Sequence, residues 1–120
     1  MERHEFVKIA EDTMSQITKT ISIKAKEYST GDAFSNFKAA AGGLSFHDKP
    51  EMVAWEFATK HFQSIKDIIS EKVPADQTAI DEKFGDAIVY LLLMKGMMTE
   101  KNRKHTSTLD KVIYHLKENQ

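Results

Sequence analysis

The side chains best suited to ligand chemistry lie in the segment KAKEYSTGDAFSNF, residues 24–37. It holds Lys24 and Lys26 beside Tyr28, Phe34, Asn36 and Phe37, in a stretch that Ser29, Gly31 and Asp32 interrupt as a helix. Ammonium groups meet phosphate charge, aromatic rings stack on bases, and an asparagine amide offers a base edge both a donor and an acceptor. The ordinary alternative is that Phe34 and Phe37 only anchor a loop to the core. A second cluster comprises Lys60, His61 and Ser64, framed by Phe57, Phe62 and Ile65. A lysine and a histidine so framed suit a phosphate at the surface of a helical bundle. Glu56, four residues before Lys60, equally gives the favourable order for a plain ion pair along a helix flank.

A third group is Glu82, Asp86 and Tyr90, spaced four apart and so aligned on one helix ridge. Asp86 stands just before the most apolar stretch of the chain, and a carboxylate buried there needs a partner, a hydrogen bond or a metal. On a solvent-facing helix start, Glu82 and Asp86 would simply complement the helix dipole. No glycine-rich phosphate loop, no H-E-x-x-H, and no serine or cysteine nucleophile in a recognisable setting occurs. Histidines 4, 47, 61, 105 and 115 are scattered without ligand spacing. No residue is therefore assigned as catalytic.

The elements that must hold these groups read as helices. Phe6, Ile9, Met14, Ile17 and Ile21 recur at steps of three to five, predicting one helix from Arg3 to about Lys26. Tyr28 to Ser35 reads as a loop, followed by a short helix from about Asn36 to Ala41 that ends at Gly42-Gly43. Asp48 and Glu51 resemble a capping box, with Pro50 in the tolerant first turn of a helix reaching about Glu71. Met52, Trp55, Ala58 or Phe62, Ile65 and Ile69 form its stripe, and Pro74 breaks the pattern. A third long helix runs from about Gln77 to Asn102, and a last one, capped by Thr106 or Ser107, carries Leu109, Val112, Ile113 and Leu116. The middle of the third long helix, AIVYLLLM (residues 87–94), is apolar almost all round, and Met97 and Met98 extend it. So much apolar girth is hard to cover within one small chain, which predicts self-association. The expected fold is all-α, a single domain over 1–120 built as a bundle of four to five helices, assembled as a homo-oligomer.

Composition sets the outer limits. At 120 residues the chain fits one domain, and the absence of cysteine excludes disulfides and thiolate metal sites, as suits a reducing, cytoplasmic setting. The N-terminal MERHEFVKIAED is not a signal peptide, and the longest apolar run, Ala87 to Met94, falls far short of the ~20 residues of a membrane span. With 17 basic and 18 acidic residues the net charge is −1, which argues against a general binder of polymeric nucleic acid while leaving room for a local basic pocket.

The combination K-A-K-E-Y at 24–28, N-F at 36–37, K-H-F-Q-S-I at 60–65 and D-x-x-x-Y-L-L-L at 86–93 resembles a family of small helical phage proteins. These are the anti-CBASS sponges, which evade bacterial immunity by sequestering its cyclic oligonucleotide signals. The resemblance spans about Lys24 to Met94. It implies a homo-oligomer, a tetramer or dimer, in the host cytoplasm. It also implies pockets for a small anionic nucleotide, a cyclic dinucleotide, built from Lys24, Lys26, Tyr28, Asn36, Phe37, Lys60 and Ser64, with no metal or cofactor. The run E-K-F-G-D-A-I-V-Y at 82–90 is also similar to the second half of the MazG-type all-α nucleotide pyrophosphohydrolases, which hold Mg²⁺ on paired E-x-x-E and E-x-x-D motifs. Here Lys83 stands three before Asp86, and Val53 and Thr59 flank Glu56 at three residues. That alternative would rest on Glu56, Glu82 and Asp86 as the Mg²⁺ ligands. Because phosphoryl hydrolysis depends on metals to gather phosphate and water, the incomplete set favours binding without turnover.

Overall fold

The computed structural model describes residues 1–27 and 31–118, except for the side chains of residues 25–27. Every regular element among them is helical: α1 (Arg3–Glu27), α2 (Ser35–Ala39), α3 (Pro50–Ile69) and α4 (Gln77–Glu118). A wide π-helical turn, Ala40–Leu44, extends α2, and the chain leaves it through Gly43, whose φ of 153° few other residues adopt. The short helix thus runs through the glycine pair, and its cap is Ser45, whose N–H donates to the Ala40 carbonyl.

Two helix starts differ in how they are made. At α3 the cap is Lys49 with no side-chain bond, so the expected Asp48/Glu51 capping box does not form. Pro50 occupies the first helical position and moves the cap one residue past Asp48. Glu51 accepts from Lys101 of α4 at 3.2 Å instead. At α4 the cap is made by Asp76, whose Oδ1 accepts the Ala79 N–H at 2.9 Å. Between them α3 closes on Glu71 in the left-handed region (φ 61°), with the Lys72 N–H donating back to the Asp67 carbonyl at 3.0 Å. Pro74 follows, where a chain cannot resume the same helix.

The expected break near residue 105 does not occur: α4 is one helix of 42 residues. Thr106, one of the two expected cap residues, and Thr108 donate their hydroxyls to the carbonyls of Asn102 and Lys104 within the same helix, both at 3.0 Å. That bonding satisfies them in a helix interior as fully as a cap would.

The principal interface is α3 against α4. Ala54 and Ala58, both fully buried, and Ala87 let the two helix backbones approach, with Val53 buried alongside. α1 packs on α4 through Ile17, while α2 rests on α3 and reaches α4 only through its side chains. Burial among the described residues stops at Ile17, Val53, Ala54, Ala58, Ala87 and Met97. The molecule measures 66 × 39 × 30 Å with a radius of gyration of 19.2 Å, against about 14 Å for a compact chain of this length. Its accessible surface is 9602 Å², against roughly 6,600 Å² for a compact monomer of this mass. No helix among the described residues is long and apolar enough to cross a membrane.

Candidate functional site

Residues 32–38 are fastened to α4 by a clamp built around Asp32. Its Oδ1 accepts the Phe34 N–H at 2.9 Å, and its main-chain carbonyl accepts the Ser35 N–H, making the turn that starts α2. Its Oδ2 accepts from Lys38 at 2.8 Å, and Lys38 also donates to Glu100 of α4 at 2.9 Å. Lys104 adds a second cation to Glu100 at 3.3 Å. The Lys38 hydrogen bond holds the Asp32 carboxyl below its ordinary range, helped by the Phe34 N–H. The same lysine holds Glu100 low, and its hydrogen bonds to Asp32 and then Glu100 raise Lys38 itself. Beneath the clamp the Phe34 ring lies on Gly96: a Cβ there would stand 2.7 Å from Phe34 Cζ. Only a glycine lets the ring come so close.

With α2 so fixed, Phe37 enters the junction of α2, α3 and α4. Its ring centroid lies 6.2 Å from Phe57 of α3 and 6.4 Å from Tyr90 of α4, the latter edge-on at 80°. Tyr90 is stacked on His61 of α3 at 4.9 Å. His61 Nδ1 stands 3.9 Å from Asp86 Oδ2, one turn before Tyr90. At the rim, His47 Nε2 lies 3.7 Å from Glu56 Oε2. The result is an aromatic patch, open to solvent at Phe57, with a histidine–carboxylate pair at its side.

The expected site residues divide into groups. Phe37 is half-buried in the junction, and Asn36 is exposed beside it on α2. Lys60 is exposed on α3 next to His61; Ser64, one turn on, donates its hydroxyl to the Lys60 carbonyl at 3.0 Å. Lys24 is exposed near the end of α1, and no hydrogen bond or ion pair ties it to the junction among the described residues. Tyr28 and the side chain of Lys26 lie outside the described residues. Glu56 and Asp86 face different histidines and Glu82 is exposed; among the described residues no three His, Asp or Glu side chains gather as a metal ion requires.

Lys38, Glu100 and Gly96 belong to this arrangement without being among the residues that the sequence singles out. The signal for the first was present in D-A-F-S-N-F-K, an aspartate two residues before an aromatic and six before a lysine. Its α4 partners, more than fifty residues on, carry no local sign of the pairing. A shallow groove of about 620 Å³ runs beside this clamp along α4, lined by Phe34, Leu92, Lys95, Thr99 and Arg103. No protein-family model, curated protein or solved structure matches the chain.

Proposed function

We propose that the chain captures a small anionic nucleotide at the junction of α2, α3 and α4 and holds it without hydrolysis. One observation carries this reading: Phe37, Phe57 and Tyr90 converge from three helices, with His61 stacked on Tyr90 and Lys60 exposed beside it. Aromatic faces accept a base with little regard to its identity, and adjacent cations suit its phosphate. Asn36, on the turn that carries Phe37, is the candidate for reading a base edge, and Lys24, Lys26, Tyr28 and Ser64 complete the proposed pocket. Capture is favoured over turnover by the carboxylates, since Glu56 and Asp86 are directed at separate histidines rather than at one shared point. The resemblance to the phage sponges makes a cyclic dinucleotide the preferred ligand, and sequestration would act by lowering free signal through mass action.

The test incubates the protein with cyclic and linear nucleotides, with and without Mg²⁺, then heat-denatures it and identifies what is released. Intact nucleotide is expected. Release of monophosphate and pyrophosphate only when Mg²⁺ is present would establish the MazG-like alternative through Glu56, Glu82 and Asp86. Lys60→Met, at an exposed position, is expected to raise the calorimetric Kd about tenfold, the loss of one charge-assisted contact, with an unchanged urea midpoint. Unchanged affinity in Lys60→Met and Phe37→Ala together would remove the pocket from this junction.

A further inference from the structure

The accessible surface exceeds that of a compact chain by roughly 3,000 Å², and two helical stretches contribute to it. From residue 101 to residue 118 every side chain of α4 is exposed, and beyond the Lys101–Glu51 ion pair no hydrogen bond or ion pair among the described residues ties this stretch to another helix. It is nonetheless amphipathic. Leu109, Val112 and Leu116 follow one another at three and four residues, with His105 and Asn102 continuing the same line backward and Ile113 beside it. That is the seam by which one helix packs along another. The second bare surface is the first half of α1. The stripe that buries Ile17 against α4 runs forward through Thr13 and Ala10 to Phe6, which is 63% exposed. A stripe that is core at one end and open at the other continues into a cover the single chain does not supply.

We infer that these surfaces cover one another between two copies: the protruding half of α4 of one chain lies along the first half of α1 of a second, and reciprocally. Charge selects this pairing. Residues 1–15 carry Glu2, Glu5, Glu11 and Asp12 against Arg3 and Lys8, whereas residues 101–118 carry Lys101, Arg103, Lys104, Lys111 and Lys117 against Asp110 and Glu118. The acidic first turns of α1 therefore attract a basic α4 end, while two α4 ends laid together repel. The whole-chain excess of roughly 3,000 Å² is larger than the ~800 Å² that a stable interface needs from each partner. A helix end of this kind also draws most of its stability from packing its apolar face. The inference rests on exposed area and charge, not on the nucleotide reading.

The chain has no cysteine, so introduced ones report unambiguously. Ala10→Cys and Val112→Cys chains, mixed in equal amounts and mildly oxidised, are expected to give mainly the mixed disulfide dimer. Light scattering of the unmodified protein is expected to give an even multiple of the chain mass. Leu109→Lys with Val112→Lys, at positions already exposed, is expected to give the monomer with its α3–α4 body still folded by circular dichroism. A monomeric mass for the unmodified protein at the highest concentration reached would overturn the inference. So would disulfides formed only between two Val112→Cys chains, or a double-lysine variant that still associates. Heat-release of nucleotide from the same preparations is scored separately, so either proposal can fail without the other.

Discussion

Two glycines of α4 give opposite expectations. A Cβ at Gly85 meets nothing within 4 Å, so Gly85→Ala should gain the helix-propensity difference of about 1 kcal/mol in urea unfolding. At Gly96 the same change drives a methyl into the Phe34 ring, and overpacking of roughly 1–3 kcal/mol cancels or reverses that gain. In a Phe34→Ala background the obstacle is gone, and Gly96→Ala should stabilise as Gly85→Ala does. A double-mutant cycle with no coupling would show that the ring does not rest there. The Lys38 clamp predicts a pH dependence as well. Asp32 and Glu100 are carboxyls held below their ordinary values, so their stabilising effect is full above the usual carboxylate range and fades as pH falls through the lowered values. Lys38 is raised, so its share is present below the ordinary lysine range and fades only as alkaline pH passes the raised value. Hydrogen exchange at the amides of residues 34–38 should therefore accelerate, beyond its intrinsic rate, between neutral pH and pH 3. Lys38→Met should flatten that response, and an equal response in both proteins would contradict it.

At the scale of elements, α3 and α4 meet through small residues. Ala58→Leu inserts three carbons where the accessible surface is zero, and is expected to cost about 1–3 kcal/mol by overpacking, read as a lower urea midpoint. A neutral result would mean that the helices are farther apart than the burial of Ala54, Ala58 and Ala87 implies. Much of this level was legible beforehand. The stripe from Phe6 to Ile21 marked α1, and Pro50 with Pro74 bracketed α3, because helical periodicity and proline act locally. The continuity of α4 was not legible: Thr106, Ser107 and Thr108 suit a helix start, yet within a helix Thr106 and Thr108 bond to the preceding turn instead. The capping box failed for a similar reason, since Pro50 fits the first helical position better than the second. Of the site, the aromatic and basic character of residues 24–37 and 56–64 could be read from residue types. The stacking of His61 on Tyr90 and the approach of Phe34 to Gly96 depend on how separate helices dock, which one-dimensional spacing does not encode.

At the scale of the molecule, body and projection contribute differently to stability. Beyond Lys104, α4 makes no hydrogen bond or ion pair with the rest of the fold among the described residues. Removing residues 105–118 should therefore leave the melting temperature at low protein concentration nearly unchanged, while abolishing any rise of that temperature with concentration. A truncated chain that no longer folds would show that the projection supports the body within one copy. The unbroken course of α4 has a mechanical consequence too. Its 42 residues span about 63 Å, close to the 66 Å length of the molecule, with no proline along the way. Such a rod is a lever whose fulcrum lies on α3: a tilt of about 5° at Tyr90 swings the tip, some 40 Å away, by roughly 3.5 Å. That displacement is of the order of half a helical turn, so any change of tilt where α4 crosses α3 is magnified at the far end of the rod.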